Sequence, residues 1–292
     1  MIVDTGSALM AMPCVDCSHC GKHREGLRYD TGTSSTGKKS SCTSPPEGAR
    51  CQTCTTNSGC GYSVSYTEGS TIRGHMVEDV VQLATEAAAA PVPVSFGCQT
   101  YESGLFYGQV ADGIIGFTSG GSYGKTLHER VVSGLHAPDV FSLCFSETKG
   151  ALVMGGAVPA ALQADWIPLN VGNSYDVTVV DFVVAGVSLA ASSGIYRPSI
   201  VDSGTTFTYL PPTAYQRARD RWRTQCPWGS CATRSAKGQY PDDYCYTMSL
   251  VERDRFPDYS IKFSSGVTLK VPQSQYVYEL RAGVWCMGIF DN

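Results

Sequence analysis

Apolar and polar residues alternate along most of this chain in short runs that end at glycine, proline, asparagine or aspartate, the pattern of strands with one buried face. Such runs include Gly61–Tyr66, Val77–Leu83, Pro91–Gly97, Tyr175–Leu189 and Tyr259–Val271. Helical spacing is clear in two stretches, Lys125–Ser133 and Pro212–Thr224. The second opens on prolines and carries Tyr215, Ala218 and Trp222 on one face. Ala87–Ala90 is followed by Pro91 and Pro93, which favours a loop between strands over a helix. Residues 21–60 are rich in glycine, serine, threonine and cysteine without a period. They predict a loop-rich insert that cross-links must hold, because such a composition builds no core of its own. Together these elements predict an all-β protein with few short helices and a linker across residues 155–172.

Composition adds bounds to that picture. With 42% apolar and 16% charged residues, a chain of 292 residues is globular and long enough for one large or two medium domains. A net charge of -4, with no basic block denser than Gly37-Lys38-Lys39, argues against nucleic acid as a partner. The nearest approach to an 18-residue apolar run, Val177–Ala191, is broken by Asp181, so these residues contain no membrane span. No basic-then-apolar leader opens the sequence, which places any targeting signal outside it.

Thirteen cysteines, seven of them between Cys14 and Cys60, predict an oxidising compartment. The rival reading is structural zinc on Cys14, Cys17, Cys20, His19, His23, Cys51 and Cys54. Cys98, Cys144, Cys245 and Cys286 are scattered singly through strand-like runs, as disulfide partners are, and this favours disulfides without fixing their connectivity. An odd total leaves at least one cysteine unpaired, or paired beyond these residues.

The chemistry concentrates in two stretches, Ile2-Val3-Asp4-Thr5-Gly6-Ser7 and Ile200-Val201-Asp202-Ser203-Gly204-Thr205-Thr206. Each is a β-branched run entering a tight turn that carries a carboxylate. One such turn is ordinary; its repetition predicts two similar lobes presenting Asp4 and Asp202 to a shared cleft. Two neighbouring carboxylates do not both ionise easily, so one keeps a proton where its partner is a base. A water between them is then deprotonated by one while the other donates to a carbonyl oxygen. That chemistry is peptide-bond hydrolysis with no metal, no cofactor and no covalent intermediate.

At these residues the chain resembles the pepsin-family aspartic proteases, and four further segments match. Tyr66-Thr67-Glu68-Gly69-Ser70 resembles the mobile flap hairpin, and Ala111-Asp112-Gly113-Ile114-Ile115-Gly116 the apolar segment that crosses behind the first catalytic loop. Leu152-Val153-Met154-Gly155-Gly156 resembles the end of the first lobe, and Phe256-Pro257-Asp258 with Ile261-Lys262-Phe263 a strand start in the second. Within that family the chain is most similar to the plasmepsin V-like proteases of malaria parasites and other alveolates. Pro13–Gly21, Glu68-Gly69-Ser70, Gly97–Glu102 continuing to Gln109, and Trp285–Asn292 carry this likeness. The plant nepenthesin-like proteases, which share an early cysteine-rich insert, are the nearest rival.

The resemblance implies a bilobal pepsin-like fold, truncated at both ends. An N-terminal lobe is expected over 1–157, with the insert at about 14–60 and the flap at about 62–76, and an incomplete C-terminal lobe over 158–292. A second apolar segment supporting the Asp202 loop is expected beyond Asn292, so the fragment alone is expected to have little activity. Asp4 and Asp202 are the implied catalytic pair. Thr5 and Ser203 would fix the two turns to one another, Ser7 and Thr205 would bond the outer carboxylate oxygens, and Gly6 and Gly204 would leave room for the water. Tyr66 would close over substrate. Thr67 stands where a flap glycine is usual, and Ala11 where a tryptophan often supports the flap tyrosine.

Glu68, Glu102 and Gln109 are the implied contacts to a substrate arginine, whose planar fork suits carboxylates. Plasmepsin V-like relatives process secretory-pathway proteins after a leucine that lies two residues beyond an arginine. They reside in the endoplasmic reticulum and carry a C-terminal membrane anchor, which the resemblance would put outside these residues. Protein or peptide substrates are therefore the expected partners. A nepenthesin-like protease of broader specificity, or an inactive protease-like binding protein, is the alternative.

Overall fold

The computed structural model describes the chain except for residues 25–26, 56–58, 83–90, 119–120, 122, 147, 157–162, 173, 191 and 240–243. The predicted Ala87–Ala90 loop lies outside the described residues. Two compact units emerge. The first comprises Met1–Gln163, Asn173–Tyr175 and the short turn Asp202–Gly204; the second comprises Ala164–Gly172, Asp176–Val201 and Thr205–Asn292.

The first unit is built on strands β1 (Ile2–Asp4), β2 (Ala11–Pro13), β3 (Lys38–Lys39), β4 (Thr53–Thr55), β5 (Gly59–Ser65), β6 (Thr71–Val81), β7 (Val92–Glu102) and β8 (Ile114–Gly116). They form one sheet in the order β1-β8-β2-β7-β6-β5-β4, with β3 on the flank of β6. The two eleven-residue strands β6 and β7 pair antiparallel from Ile72↔Glu102 to Val81↔Val92. Alternation along them sends Val77, Val94 and Phe96 into one apolar cluster and Ile72 and Met76 into another. Helix α1 (Leu105–Gly108) buries Phe106 in the second cluster. Helix α2 (Leu127–Gly134) packs Leu127 and Val131 into the first, and its N-terminus is closed by a reciprocal Thr126–Glu129 capping box. A separate hairpin joins β9 (Phe141–Phe145) to β10 (Gly150–Met154).

Four disulfides belong to this unit: Cys14–Cys98, Cys17–Cys20, Cys42–Cys54 and Cys51–Cys60. They tie the polar insert to the sheet where its composition offers no core. The second unit adds Cys226–Cys231 and Cys245–Cys286, and Cys144 on β9 is the unpaired cysteine.

The second unit holds β11 (Asp176–Val177), β12 (Val179–Val184), β13 (Val187–Ser188), β14 (Ser199–Ile200), β15 (Thr208–Leu210), α3 (Pro212–Trp222), β16 (Ser235–Ala236), β17 (Cys245–Thr247), α4 (Leu250–Arg253), β18 (Tyr259–Phe263), β19 (Thr268–Val271), α5 (Gln273–Tyr276), β20 (Val277–Arg281), β21 (Val284–Met287) and β22 (Ile289–Asp291). Two four-stranded sheets, β13-β12-β18-β19 and β16-β17-β21-β20, flank a core of Phe182, Trp222, Tyr259 and Tyr276. Helix α3 buries Ala214, Tyr215, Ala218 and Trp222, the face its spacing predicts.

The long runs read from the sequence are interrupted. Tyr175–Leu189 divides into β11, β12 and β13, and Tyr259–Val271 into β18 and β19 around a turn at Gly266. The three four-residue helices are too short to leave a period, although the Ser249–Glu252 capping box marks α4.

One arrangement occurs in both units. In the first, β2 pairs parallel with β7, Ala11 opposite Gly97; in the second, β15 pairs parallel with β22, Thr208 opposite Ile289. Both β2 and β15 begin a few residues after a motif aspartate, so the duplication seen in the sequence extends to backbone pairing.

Candidate active site

Asp4 ends β1, whose neighbour β8 runs parallel with Asp4 opposite Gly116. Beyond Asp4 the chain turns sharply, and the Asp4 side chain stabilises that turn by accepting the Gly6 N–H at 2.9 Å on Oδ1. Ser7 Oγ donates to Oδ2. The segment after β8 supports the turn from behind. Phe117 N–H donates to Asp4 O at 2.8 Å, Thr118 N–H to Ser7 O at 2.9 Å, and Thr118 Oγ1 to Thr5 O at 2.5 Å. Tyr175 in turn donates to Phe117 O at 2.8 Å. Asp4 and Thr5 are buried.

The second turn, Asp202–Gly204, belongs to the same unit. Its link to the first is reciprocal. Thr5 N–H donates to Ser203 Oγ at 3.1 Å, Ser203 N–H donates to Thr5 Oγ1 at 2.9 Å, and Ser203 Oγ donates to Val3 O at 2.6 Å. Gly204 N–H caps Asp202 Oδ1 at 2.8 Å, repeating the Gly6–Asp4 bond. Each glycine also faces the other turn's carboxylate. A Cβ on Gly6 would lie 2.5 Å from Asp202 Oδ2, and one on Gly204 would lie 2.3 Å from Asp4 Oδ1. Only hydrogen fits at either position. Thr205 belongs to the second unit and is exposed.

Burial pushes the Asp4 carboxyl up to about 6. The bonds from Ser7 and Gly6 favour its ionised form and work against that rise; the hydrogen bond and negative charge of Asp202 work with it. The two aspartates therefore share a contact in which a proton is held well above the ordinary carboxylate range. A group that keeps a proton beside a more exposed carboxylate is equipped for paired acid and base chemistry.

Tyr66 heads the hairpin between β5 and β6. Its N–H donates to Ser70 O and its carbonyl accepts from Gly69 N–H, both at 2.9 Å, and Gly69 takes the positive φ of 93° that closes the turn. The ring packs on Phe106 with centroids 4.9 Å apart. Burial first, and then the charge of Asp4, raise the phenol well above its ordinary range. The hydroxyl thus lies near Asp4 and Ser7, yet forms no well-shaped hydrogen bond to either. Thr67 and Glu68 are exposed at the tip of the hairpin.

Glu102, Gln109 and Glu68 do not form one cluster of exposed polar groups. Glu102 is fully buried at the end of β7. Its Oε2 accepts the Gly21 N–H at 2.9 Å, and His23 Nε2 meets Oε1 at 3.1 Å and Oε2 at 3.0 Å. His23, read from the sequence as a possible zinc ligand, sits instead between this carboxylate and the Gln109 carbonyl, to which its Nδ1 donates at 3.2 Å. The cysteines of the zinc reading are all disulfide-bonded. His19 Nδ1 donates to Glu102 O at 2.8 Å, and its ring stacks on Tyr101 at 5.0 Å.

Sequence reasoning did not single out Phe117, Thr118, Phe106 or the His23–Glu102 pair. The first two directly follow the Ile114-Ile115-Gly116 segment and were findable as its continuation. The others depend on contacts between distant segments.

Two family models match the chain: the xylanase inhibitor N-terminal domain over residues 1–156 and the xylanase inhibitor C-terminal domain over residues 174–292. Aspartic proteinase 39 of Arabidopsis thaliana is similar at 29% identity, covering 98% of this chain and 62% of that protein. Aspartic protease 5 of Toxoplasma gondii is 28% identical over 84% of this chain and 30% of its own length. Plasmepsin V of Plasmodium falciparum is 32% identical, but over 54% of this chain and 27% of that protein. The chain spans between 27% and 62% of the lengths of these relatives.

Proposed function

This chain belongs to the pepsin-like aspartic-protease superfamily, in the group described by xylanase inhibitor N- and C-terminal domains, and from that premise we propose that the full-length protein is an aspartic endopeptidase of broad, nepenthesin-like specificity. The observation that carries the reading is the mutual contact of Asp4 and Asp202, with a proton retained on the buried partner. The ionised carboxylate takes a proton from a water, which attacks the peptide carbonyl; the protonated carboxylic acid donates to the carbonyl oxygen as it becomes tetrahedral. The departing amine then takes a proton from the pair. Ser7 and the Gly6 N–H hold the Asp4 oxygens in place, and Tyr66 covers the site from the flap.

Broad specificity is favoured over a strict Arg-x-Leu preference by two observations. Glu102, one of the acidic groups expected to meet an arginine, spends its carboxylate on Gly21 and His23. The likeness to the plant proteinase runs through 98% of the chain, whereas that to plasmepsin V covers 54%. The six disulfides support a secretory-pathway setting. The second reading, a protein-binding module that recognises its partner without cutting it, is supported by the inhibitor domains named by both family models.

Peptide hydrolysis by the full-length protein decides between them. Asp4→Asn and Asp202→Asn should each lower kcat/KM on the order of 10³-fold or more while the melting temperature stays near wild type. Turnover that survives both changes would overturn the shared mechanism, and absence of turnover in the wild type would favour the binding module. Across peptides varied two residues before the cut, broad specificity predicts an arginine-over-alanine preference below about tenfold.

A further inference from the structure

We propose that His23 and Glu102 are a positioning pair that sets the flap hairpin, and Tyr66 with it, over Asp4, and that Glu102 does not itself hold substrate. The inference rests on the peptidase reading for its kinetic consequence but not for its structural one.

His23 grips the segment 102–109 at both ends: Nε2 bonds the Glu102 carboxylate and Nδ1 donates to the Gln109 carbonyl. A carbonyl oxygen only accepts, so Nδ1 carries a hydrogen, and Nε2 shares a proton with the carboxylate. Both side chains are almost wholly enclosed, at 3% and 0% exposure. A buried carboxylate without these partners would be strongly unfavourable, so the pair acts as a unit. The backbone reinforces the grip: Glu102 N–H donates to His19 O at 2.7 Å, and Gly21 packs so closely that a Cβ would stand 1.8 Å from Tyr107 O.

The middle of the gripped segment carries the flap. Ser103 N–H donates to Thr71 O at 2.9 Å, and Thr71 N–H donates to Ser103 Oγ at 3.2 Å. Leu105 N–H donates to Ser70 Oγ at 2.8 Å, and Phe106 packs on the Tyr66 ring. His23 thus links the N-terminal part of the cysteine-rich insert to the flap tip by way of Glu102, with Ser103–Phe106 as the relay, while the β4–β5 pairing and the Cys51–Cys60 bridge hold the base of the same hairpin. No exposed face of Glu102 remains for a guanidinium.

Hydrogen exchange of the Tyr66, Gly69, Ser103 and Leu105 amides in the full-length protein tests this, with peptide kinetics beside it. In Glu102→Gln the amide oxygen accepts from Gly21 while the amide nitrogen donates to neutral His23, so the geometry is kept. The four amides should exchange at wild-type rates, and any arginine-over-alanine preference should stay within about twofold. In His23→Leu the same amides should exchange at least about tenfold faster, while Gly155, bonded to Val140 at 2.8 Å, keeps its protection. The accompanying loss in kcat/KM should fall on kcat for arginine and alanine peptides alike, as expected of a misplaced flap.

If His23→Leu does not fold, His23→Gln replaces it; a single amide cannot reach both ends, and intermediate protection is expected. Unchanged exchange in the His23 variants would overturn the proposal. So would a Glu102→Gln protein that loses an arginine preference with its flap protection intact, since Glu102 would then be a substrate ligand. A wild type that cuts no peptide would sink the peptidase reading alone, and the exchange rates would still decide the positioning role.

Discussion

At the scale of single residues, the proton on Asp4 sets the expected pH behaviour. Its carboxyl rises from 3.8 to about 6, chiefly through burial, so the singly protonated pair is populated below about pH 6. The kcat/KM of the full-length protein should therefore fall as pH rises through about 6. The linkage has the same sign: the stabilising contribution of protonated Asp4 is present below about pH 4 and is lost by about pH 6. Ser7→Ala removes a bond that favours the carboxylate, so the alkaline limb should move to higher pH by about one unit, because bonds to charged groups contribute about 1.5–3 kcal/mol. A limb that stays in place would assign it to another group. Gly204→Ala puts a methyl 2.3 Å from Asp4 Oδ1, and Gly6→Ala puts one 2.5 Å from Asp202 Oδ2. Neither glycine has a positive φ, so each variant should fold with a near-normal melting temperature but lose peptide turnover on the order of 100-fold, because the carboxylates must shift. The doubled motif was legible because Asp, hydroxyl and Gly recur at the same spacing; the inward turn of Glu102 was not, since its partner His23 lies 79 residues away.

At the scale of elements, the insert illustrates what holds a segment without a core. Beyond its disulfides, residues 29–36 are fastened to β6 by one carboxylate: Asp79 accepts from Tyr29 at 2.6 Å and Ser34 at 2.8 Å, and from Thr36. Partial burial would raise this carboxyl, but the three hydroxyls overcome it and hold it at about 2. Its stabilising effect is present above about pH 4 and disappears as pH falls through about 2. Hydrogen exchange across 29–37 should accelerate over that window, and Asp79→Asn should show the acid behaviour already at pH 5; equal rates in both proteins would remove Asp79 from this role. Alternation alone located β5, the second half of β6 and the first half of β7, and α3 followed from its apolar face; Thr71–Met76 and Cys98–Glu102 extend the two long strands beyond the runs that alternation marked. Within Tyr259–Val271 the turn carries its own polar signal, Ser264-Ser265-Gly266, which marks two strands rather than one run; the breaks within Tyr175–Leu189 fall at Thr178 and at Ala185-Gly186, where a single polar or glycine residue interrupts an otherwise apolar stretch.

At the scale of the whole molecule, each unit has its own apolar clusters and its own disulfides, four in the first and two in the second. Calorimetry should resolve two transitions rather than one. Reduction should lower the transition of the first unit further, since each bridge contributes about 2–4 kcal/mol and Cys14–Cys98 joins residues 84 apart. Equal shifts would count against this division of stability. The first unit also borrows three residues, Asp202–Gly204, from far along the chain, and they satisfy Thr5 N–H and cover Val3 O. It is therefore not a contiguous stretch of gene. A recombinant or evolutionary exchange that joined residues 1–163 of this chain to the remainder of a relative would import a foreign 202–204 turn into the place where Gly6 leaves room only for this carboxylate. Chimaeras should tolerate differences in the surface of the second unit far better than a change in those three residues, and the compatible crossover points are those that carry both turns from one parent.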